Sequence, residues 1–166
     1  MNPPPRHPDP PRLRPAAPGE AAALTELALR SKGHWGYDAA FLESCRDELT
    51  VREDELGARR TVVAELPDGR IAGFRTLEGE PPVGVLGMMF VDPDAIGRGI
   101  GGALARHLVA EARAAGFTRL TIDADPNAEA FYLAQGAVRV GATPSGSIPG
   151  RVLPLLELRL EPAGHC

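Results

Sequence analysis

The sequence has little cysteine, few aromatic residues and no long apolar run. Its 166 residues include two cysteines, one tryptophan and 5% aromatic residues in all. Two cysteines, Cys45 and Cys166, are too few for a disulfide framework, so we expect a reducing, cytoplasmic environment. A membrane-spanning helix needs roughly 18 or more consecutive apolar residues, and because no such run is present we expect no membrane span.

Positive charge is also scarce, and lysine almost absent. The chain has 18 basic and 22 acidic residues, a net charge of −4. A negative chain has no long-range attraction for nucleic acid or an anionic membrane, so neither is expected as a partner. Lys32 is the only lysine. Arginine in place of lysine, with abundant alanine, glycine and proline, indicates a GC-rich coding bias and a bacterial source.

Proline, by contrast, is concentrated at the start of the chain. Eight of the first 18 residues are proline, and this stretch has no apolar segment of the kind that a signal peptide requires. We predict that residues 1–11 form a disordered, proline-rich tail. Residues 12–162 are then predicted to form a single domain, since they are enough to bury a sizeable core.

Apolar periodicity predicts the helices. A first helix is expected over Pro18–Ser31, and a second begins after Asp38, whose carboxylate can cap it. Thr50 and Glu53 fit a capping box for a short third helix. Near the C-terminal end, Asn127 is predicted to cap another short helix.

The strand pattern then predicts the fold class. "RRTVVAELPDGRIAGFRTLE" reads as a hairpin, and "VGVLGMMFV" as one central strand covered on both faces. An alanine-rich helix ending at Gly116 follows, and then the strand "RLTIDA". The order β-α-α-β-β-β-α-β-α-β-β places one βαβ unit in a mixed, mostly antiparallel sheet. We therefore expect an α+β fold, a three-layer α/β/α sandwich.

Four glycines stand where that alanine-rich helix must begin. Gly97, Gly99, Gly101 and Gly102 leave the backbone bare beside the unpaired N–H groups and positive dipole of the helix start. Such a segment suits a pyrophosphate, to which Arg98 can add a contact. The alternative is a tight strand-to-helix turn with close packing and no ligand.

A dinucleotide site is a second alternative for the same segment. Gly97, Gly99 and Gly102 match G-x-G-x-x-G, and Asp123 follows where a dinucleotide fold has its ribose-binding acid. Three features oppose it. The residues "VDPDAI" intervene before the glycines, a hairpin precedes the segment, and only 43 residues follow Asp123.

Two motifs resemble those of the GNAT superfamily of N-acetyltransferases, over residues 13–160. "FVDPDAIGRGIGGAL" is similar to its acetyl-CoA signature, with Gly99 and Gly101 as the signature glycines and Ile96 in place of the usual Gln or Arg. "DADPNAEAFYLAQGA" is similar to its second cofactor motif. The resemblance implies acetyl-CoA as co-substrate, no metal, and the following cofactor contacts: Met89, Phe90, Val91, Gly97, Arg98, Gly99, Ile100, Gly101, Gly102 and Asn127.

The resemblance also implies a mechanism, direct transfer of acetyl from the CoA thioester to a primary amine. Backbone N–H groups around Met89–Val91 would stabilise the oxyanion, and Tyr132 would act as general acid toward the sulfur. Many members have a glutamate base on the strand before the glycines, but "VGVLGMMFV" has no carboxylate. We take Asp125 as the candidate base. Asp123, Glu78, His34, Tyr37 and a water chain stay open as alternatives.

The acceptor site is less defined by sequence. In the resembling family the junction between the first two helices and the loop between the last two strands cover the acceptor; here these are "SKGHWGYD" and "TPSGSIPGR". Trp35 and Tyr37 are the candidate substrate-binding residues, unless they only fill the edge of the core. We expect a small-molecule amine as partner and allow for a homodimer. Other functions left open are a non-catalytic acetyl-CoA-binding module and a dinucleotide-dependent oxidoreductase.

Overall fold

The computed structural model describes residues 10–160, which form eight strands and four α-helices. The strands are β1 (Arg12–Pro15), β2 (Val62–Glu65), β3 (Ile71–Arg75), β4 (Val83–Val85), β5 (Met89–Val91), β6 (Arg119–Asp123), β7 (Val138–Pro144) and β8 (Val152–Arg159). The helices are α1 (Ala21–Gly33), α2 (Ala39–Leu49), α3 (Ile100–Ala115) and α4 (Glu129–Ala134). Most of the predicted tail, and Cys166, lie outside the described residues.

The strands form two four-stranded sheets rather than one. Their orders are β1-β2-β3-β5 and β4-β6-β8-β7, and only β4 and β6 pair in parallel. Val63 packs with α1 and α2, whereas its neighbour Ala64 packs with α3. Successive strand residues point to opposite faces of a sheet, so α1 and α2 cover one face of the β1-β2-β3-β5 sheet and α3 covers the other. The predicted α+β class, the mostly antiparallel pairing and the βαβ unit are confirmed.

The prediction of one continuous strand over residues 83–91 is wrong. The segment breaks between β4 and β5, which belong to different sheets. At the break Gly87 lies against the Glu78 carboxylate, which leaves no room for a Cβ. The Met88 N–H bonds to the Thr76 hydroxyl (2.9 Å) instead of a backbone carbonyl. Beyond this point β5 pairs with β3 and not with β6, and the space between β5 and the end of β6 is left as a gap lined by both strands.

The start of α1 depends on a residue distant in sequence. The helix begins at Ala21 rather than Pro18, and the Glu53 carboxylate accepts hydrogen bonds from the N–H groups of Gly19 (2.9 Å) and Ala21 (2.8 Å). The predicted capping box is therefore wrong, since Thr50 donates to the Arg46 carbonyl instead.

Two other helix ends follow the predictions. The Asp38 carboxylate caps α2 by accepting from the Phe41 N–H (2.8 Å). Helix α3 ends at Gly116, whose φ of 95° is left-handed.

Within residues 10–160 no helix has the length and apolarity that crossing a bilayer requires. The same residues contain no group of three or more His, Cys, Asp or Glu side chains placed to hold a metal ion.

Candidate active site

The gap between β5 and the end of β6 is part of a cavity with a volume of about 780 Å³. We call it the larger cavity, because a second, smaller one is described below. That volume lies in the usual range for small-molecule sites. Two of the predicted site residues, Arg98 and Tyr37, do not line it. The predicted site residues that do line it are Trp35, Met89, Phe90, Val91, Gly97, Gly99, Ile100, Gly101, Gly102, Asp125, Asn127 and Tyr132.

The glycines of residues 97–102, the glycine segment, serve different physical purposes. Gly97 (φ 89°) and Gly99 (φ 76°) are left-handed, a conformation that other residues adopt only with strain. Gly101 is helical, but an added Cβ would lie 3.2 Å from the Phe131 ring. The N–H groups of Gly99 and of the first turn of α3 donate to no described acceptor. The segment therefore presents a bare row of donors at a helix start, as an anionic ligand requires.

The free edge of β5 supplies further backbone donors to the cavity. Phe90 lies opposite Phe74 of β3, and the flanking Met88 carbonyl accepts from the Thr76 N–H (2.9 Å). Alternate residues of a strand bond to opposite sides, so the N–H and C=O groups of Met89 and Val91 face the gap. An extended chain entering the gap would find main-chain partners there.

Tyr132 stands beside this edge. Its side chain is 8% exposed and packs edge to face on Phe131, with ring centroids 5.3 Å apart. The phenol makes no hydrogen bond to any described residue, although it lines the cavity. Burial, and the nearby Asp125 charge, raise its pKa far above the ordinary value. The phenol is therefore protonated near neutral pH and available as a hydrogen-bond donor.

Asp125 occupies the centre of a polar cluster that joins three chain segments. Its carboxylate accepts from Lys32 Nζ (3.1 Å), Tyr37 Oη (3.0 Å) and the Asn127 N–H (2.8 Å). Arg151 Nη2 lies 3.6 Å from the same carboxylate and donates to Tyr37 Oη (2.8 Å). We call these five residues the Asp125 cluster.

The Asp125 cluster alters the interpretation of its central carboxylate. Burial alone would raise the pKa of Asp125, but the Asn127 N–H and the Lys32 charge outweigh burial and hold the pKa below its usual value. A carboxylate with a low pKa and three donors is a weak proton acceptor. The position suits a residue that holds neighbouring segments in place better than it suits a general base.

Asn127 does not cap α4 as the sequence predicts. Helix α4 begins at Glu129, after Ala128, and has no side-chain cap. The Asn127 amide instead donates to Tyr37 Oη (3.1 Å) and to the Asp125 carboxylate (3.0 Å). Its side chain is thus shared between the cavity lining and the Asp125 cluster.

The two candidate substrate-binding aromatics differ in their surroundings. Trp35 is 48% exposed at the rim of the cavity and touches His34 edge to face (5.3 Å). Tyr37 stacks on Phe41 (4.1 Å) below the Arg151 guanidinium, whose carbon lies 5.2 Å from the Tyr37 ring centre. Of the two, only Trp35 lines the cavity.

Further ionisable side chains line the cavity. Glu78 accepts from the Thr76 hydroxyl (2.8 Å) and lies 3.9 Å from Arg59. Asp47, Glu48, Arg52 and Asp123 line it as well.

Sequence reasoning overlooked Lys32 as a site residue. Lys32 lines the cavity, pairs with Asp125 (3.1 Å) and is 14% exposed. The available signal was its uniqueness, a single lysine in a chain that otherwise uses arginine, within the segment between the first two helices.

Comparison with known proteins agrees with this geometry. The sequence model of the Acetyltransferase (GNAT) family matches residues 22–137. A GCN5-related N-acetyltransferase structure from Rhodopseudomonas palustris is 30% identical, with a TM-score of 0.74, over 92% of this chain and 98% of that one. No curated protein matches in sequence.

Two more distant structures share the fold. PaiA N-acetyltransferase from Thermoplasma acidophilum, in complex with coenzyme A, is 17% identical (TM-score 0.73; 89% of this chain, 98% of that chain). YncA of Salmonella typhimurium, a putative acetyltransferase with acetyl-CoA, is 19% identical (TM-score 0.64; 94% and 97%). The family match and the 30% identity decide the class: this chain belongs to the GNAT acetyltransferase family, whose general chemistry is acyl transfer from acetyl-CoA.

Proposed function

We propose that this protein transfers the acetyl group of acetyl-CoA to a primary amine of a small molecule. The observation that carries the proposal is the convergence of three features on one gap. Unpaired N–H groups of the glycine segment, the free edge of β5 and the unpartnered Tyr132 phenol all line the same cavity. Each matches one part of an acyl-CoA, namely the pyrophosphate, the pantetheine arm and the sulfur.

In this proposal the backbone binds the donor. The glycine segment holds the pyrophosphate, with Arg98 reinforcing it electrostatically from outside the cavity. Asn127, whose amide N–H groups donate to Tyr37 and Asp125, contacts the donor through its amide oxygen. The pantetheine amides pair with the free edge of β5, next to Met89 and Val91. The Met89 N–H then lies where it can donate to the thioester carbonyl oxygen as negative charge develops.

Tyr132 assists departure of the thiolate. The amine nitrogen attacks the carbonyl carbon, the C–S bond breaks, and the Tyr132 phenol donates a hydrogen bond to the sulfur. The ordinary thiol pKa is about 8.5, well below that of this buried phenol. Complete proton transfer from Tyr132 is therefore uphill, and stabilisation of the thiolate by hydrogen bonding is the larger part of its role.

An alkyl ammonium, with a pKa of about 10, must lose a proton before it attacks. Because the Asp125 carboxylate is held by Lys32, Tyr37 and Asn127, we propose Glu78 as the proton acceptor, directly or through water. Glu78 lines the cavity beside Gly87, where the two sheets part. Asp125 then acts as a positioning residue for the acceptor-side segments, and Trp35 contacts the acceptor at the rim.

Donor binding is tested first, by thermal shift with acetyl-CoA, CoA, NAD and NADP. A ligand at about a hundredfold excess over Kd stabilises by roughly 2.7 kcal/mol, which raises Tm by about 5–11 °C in a domain of this size. We expect that rise with acetyl-CoA and CoA only. A rise with NAD or NADP alone would overturn the proposal in favour of a dinucleotide enzyme.

Turnover is tested next, by following free CoA thiol release with a panel of primary amines. Glu78→Gln is expected to lower kcat most at low pH, where the amine depends on an acceptor for its proton, and to leave the Kd of acetyl-CoA within about twofold. Binding of acetyl-CoA without turnover on any amine would instead support the non-catalytic binding module.

A further inference from the structure

A second cavity lies between α3 and α4, behind the proposed thioester position. Its volume is about 330 Å³, and it shares four lining residues with the larger cavity. Leu86, Met89, Ile122 and Tyr132 line both spaces, so the two cavities lie on either side of these side chains. Any group that extends beyond a thioester held beside Tyr132 reaches this wall.

Small residues keep the second cavity empty. The α3 face that lines it has Ala105 and Val109, and Ala137 lies opposite, after α4. The space is a half-open cleft, with Ala110 and Gln135 exposed on its outer side. A space of 330 Å³ is large on the scale of about 30 Å³ for one water-sized group.

The chemistry of the lining is apolar near Tyr132 and polar only at the outer end. Leu108 and Leu158 complete the inner wall, while Arg106 and Arg113 stand exposed at the mouth. An apolar inner space with charges only at its outlet fits an aliphatic chain that enters from the side of Tyr132.

Of the four residues that line both cavities, Met89 has the most flexible side chain. It is partly buried, packs against two of the three core clusters, and has an unbranched, flexible side chain. The Met89 side chain lines both cavities and can change rotamer while the backbone of β5 stays paired with β3.

We propose that the second cavity binds the acyl chain of donors longer than acetyl, so that this protein accepts aliphatic acyl-CoA esters of about four to six carbons. The inference rests on the proposed function and extends its donor class. The reaction is unchanged: the amine nitrogen bonds to the acyl carbonyl carbon, the C–S bond breaks, and CoA leaves as a thiol with the amine proton. No further reactant is required.

Calorimetric titration of the full-length protein with CoA, acetyl-CoA, butyryl-CoA and hexanoyl-CoA tests this without an identified acceptor. Full burial of one methylene group strengthens binding about fourfold. We expect hexanoyl-CoA to bind at least about tenfold more tightly than acetyl-CoA, with butyryl-CoA between them.

Val109→Phe fills the second cavity and is expected to abolish the gain with chain length while leaving the Kd of acetyl-CoA within about twofold. Val109→Leu, a smaller change, is expected to reduce the gain partly. Ala114→Phe is the matched control, since Ala114 is exposed on the same helix and lines neither cavity.

Equal affinity for all acyl-CoA esters in the unmodified protein would overturn the inference and leave the proposed function intact. Equal weakening of acetyl-CoA and hexanoyl-CoA by Val109→Phe would also overturn it, because the substitution would then act on the fold. If neither CoA nor any of its esters binds, it is the proposed function that fails.

Discussion

Two regions that border the larger cavity, the glycine segment and the Asp125 cluster, present different kinds of polar group. The cofactor side is made of backbone: within residues 97–102, every N–H group except that of Arg98 has no described acceptor. The Asp125 cluster is made of side chains: Lys32 and Asp125 line the cavity, and Tyr37 and Arg151, which do not line it, contact the same carboxylate. Backbone recognition is local in sequence, whereas the fold assembles the Asp125 cluster and joins Tyr37 to Arg151, 114 positions away, by a hydrogen bond.

The two regions also differ in what they lack before a ligand binds. The polar atoms of the Asp125 cluster already bond to one another, so ligand binding there adds little that is missing. The donors of the glycine segment and the Tyr132 phenol have no described partner. A cavity bordered by one satisfied and one unsatisfied region gains most from a ligand at the unsatisfied region. The following predictions test this contrast, from the largest expected effect to the smallest.

Tyr132→Phe is expected to lower kcat at least about a hundredfold and to leave the Kd of acetyl-CoA and the stability nearly unchanged, because the lost hydroxyl bonds to no described residue. Tyr37→Phe is the matched change in the Asp125 cluster. Its hydroxyl takes part in bonds to Asp125, Asn127 and Arg151, so we expect a stability loss of about 1–2 kcal/mol with a smaller change in kcat. Thiol-release kinetics and urea unfolding of both variants measure the contrast, which equal kcat losses would contradict.

Asp125→Asn is expected to destabilise the protein by about 1–3 kcal/mol at pH 7, because Lys32 and Arg151 lose their shared carboxylate. The pKa of Asp125 is lower in the folded protein than its unfolded value of about 3.9. Its ionised form therefore stabilises the fold above about pH 4, and this contribution is lost as pH falls through the lowered pKa.

The stability difference between the unmodified protein and Asp125→Asn should accordingly shrink as pH is lowered from 7 toward 3. Urea unfolding at several pH values measures it. A difference that is constant across this range would mean that the carboxylate charge is not what holds the Asp125 cluster.

Gly99→Ala is expected to weaken acetyl-CoA binding about five- to thirtyfold. A left-handed conformation costs other residues roughly 1–2 kcal/mol, and relief of that strain moves the donors of the glycine segment. Gly57→Ala is the control, since Gly57 has neither a positive φ nor a neighbour within 4 Å of an added Cβ. Calorimetry on both variants decides whether the backbone conformation itself binds the donor; equal affinities would show that it does not.

Arg98→Glu is expected to have the smallest effect, a two- to fivefold weakening of CoA binding at low salt, or about 0.4–1 kcal/mol, because the Arg98 charge is exposed. Half-molar salt should remove most of it. Arg12→Glu makes the same charge change on β1, away from the cavity. Equal effects of the two variants would mean that net charge, and not the position of Arg98, sets the affinity.

Local patterns in the sequence were enough to predict α3, the hairpin of β2 and β3, and the position of the glycine segment. Each depends on residues close in sequence: Gly116 ends a helix, a Pro-Asp-Gly turn joins two strands, and Gly97 and Gly99 permit left-handed backbone. The predictions that failed depended on distant partners. Glu53 caps α1 and not the short third helix for which the sequence predicted a capping box. The Glu78 carboxylate lies against Gly87, where the apolar run from β4 to β5 breaks.

The sequence by itself determined the class of fold and the side of the cavity made of backbone, because periodicity, turn chemistry and glycine conformation act over a few residues. Only the tertiary structure decided the parting of β4 from β5 and the partners of Asp125. A carboxylate in sequence has no assigned partner until the chain is folded. The pKa of Asp125 follows from the charges and donors that folding brings within about 3 Å of it. That pKa decides whether Asp125 can act as a general base or serves as a positioning residue.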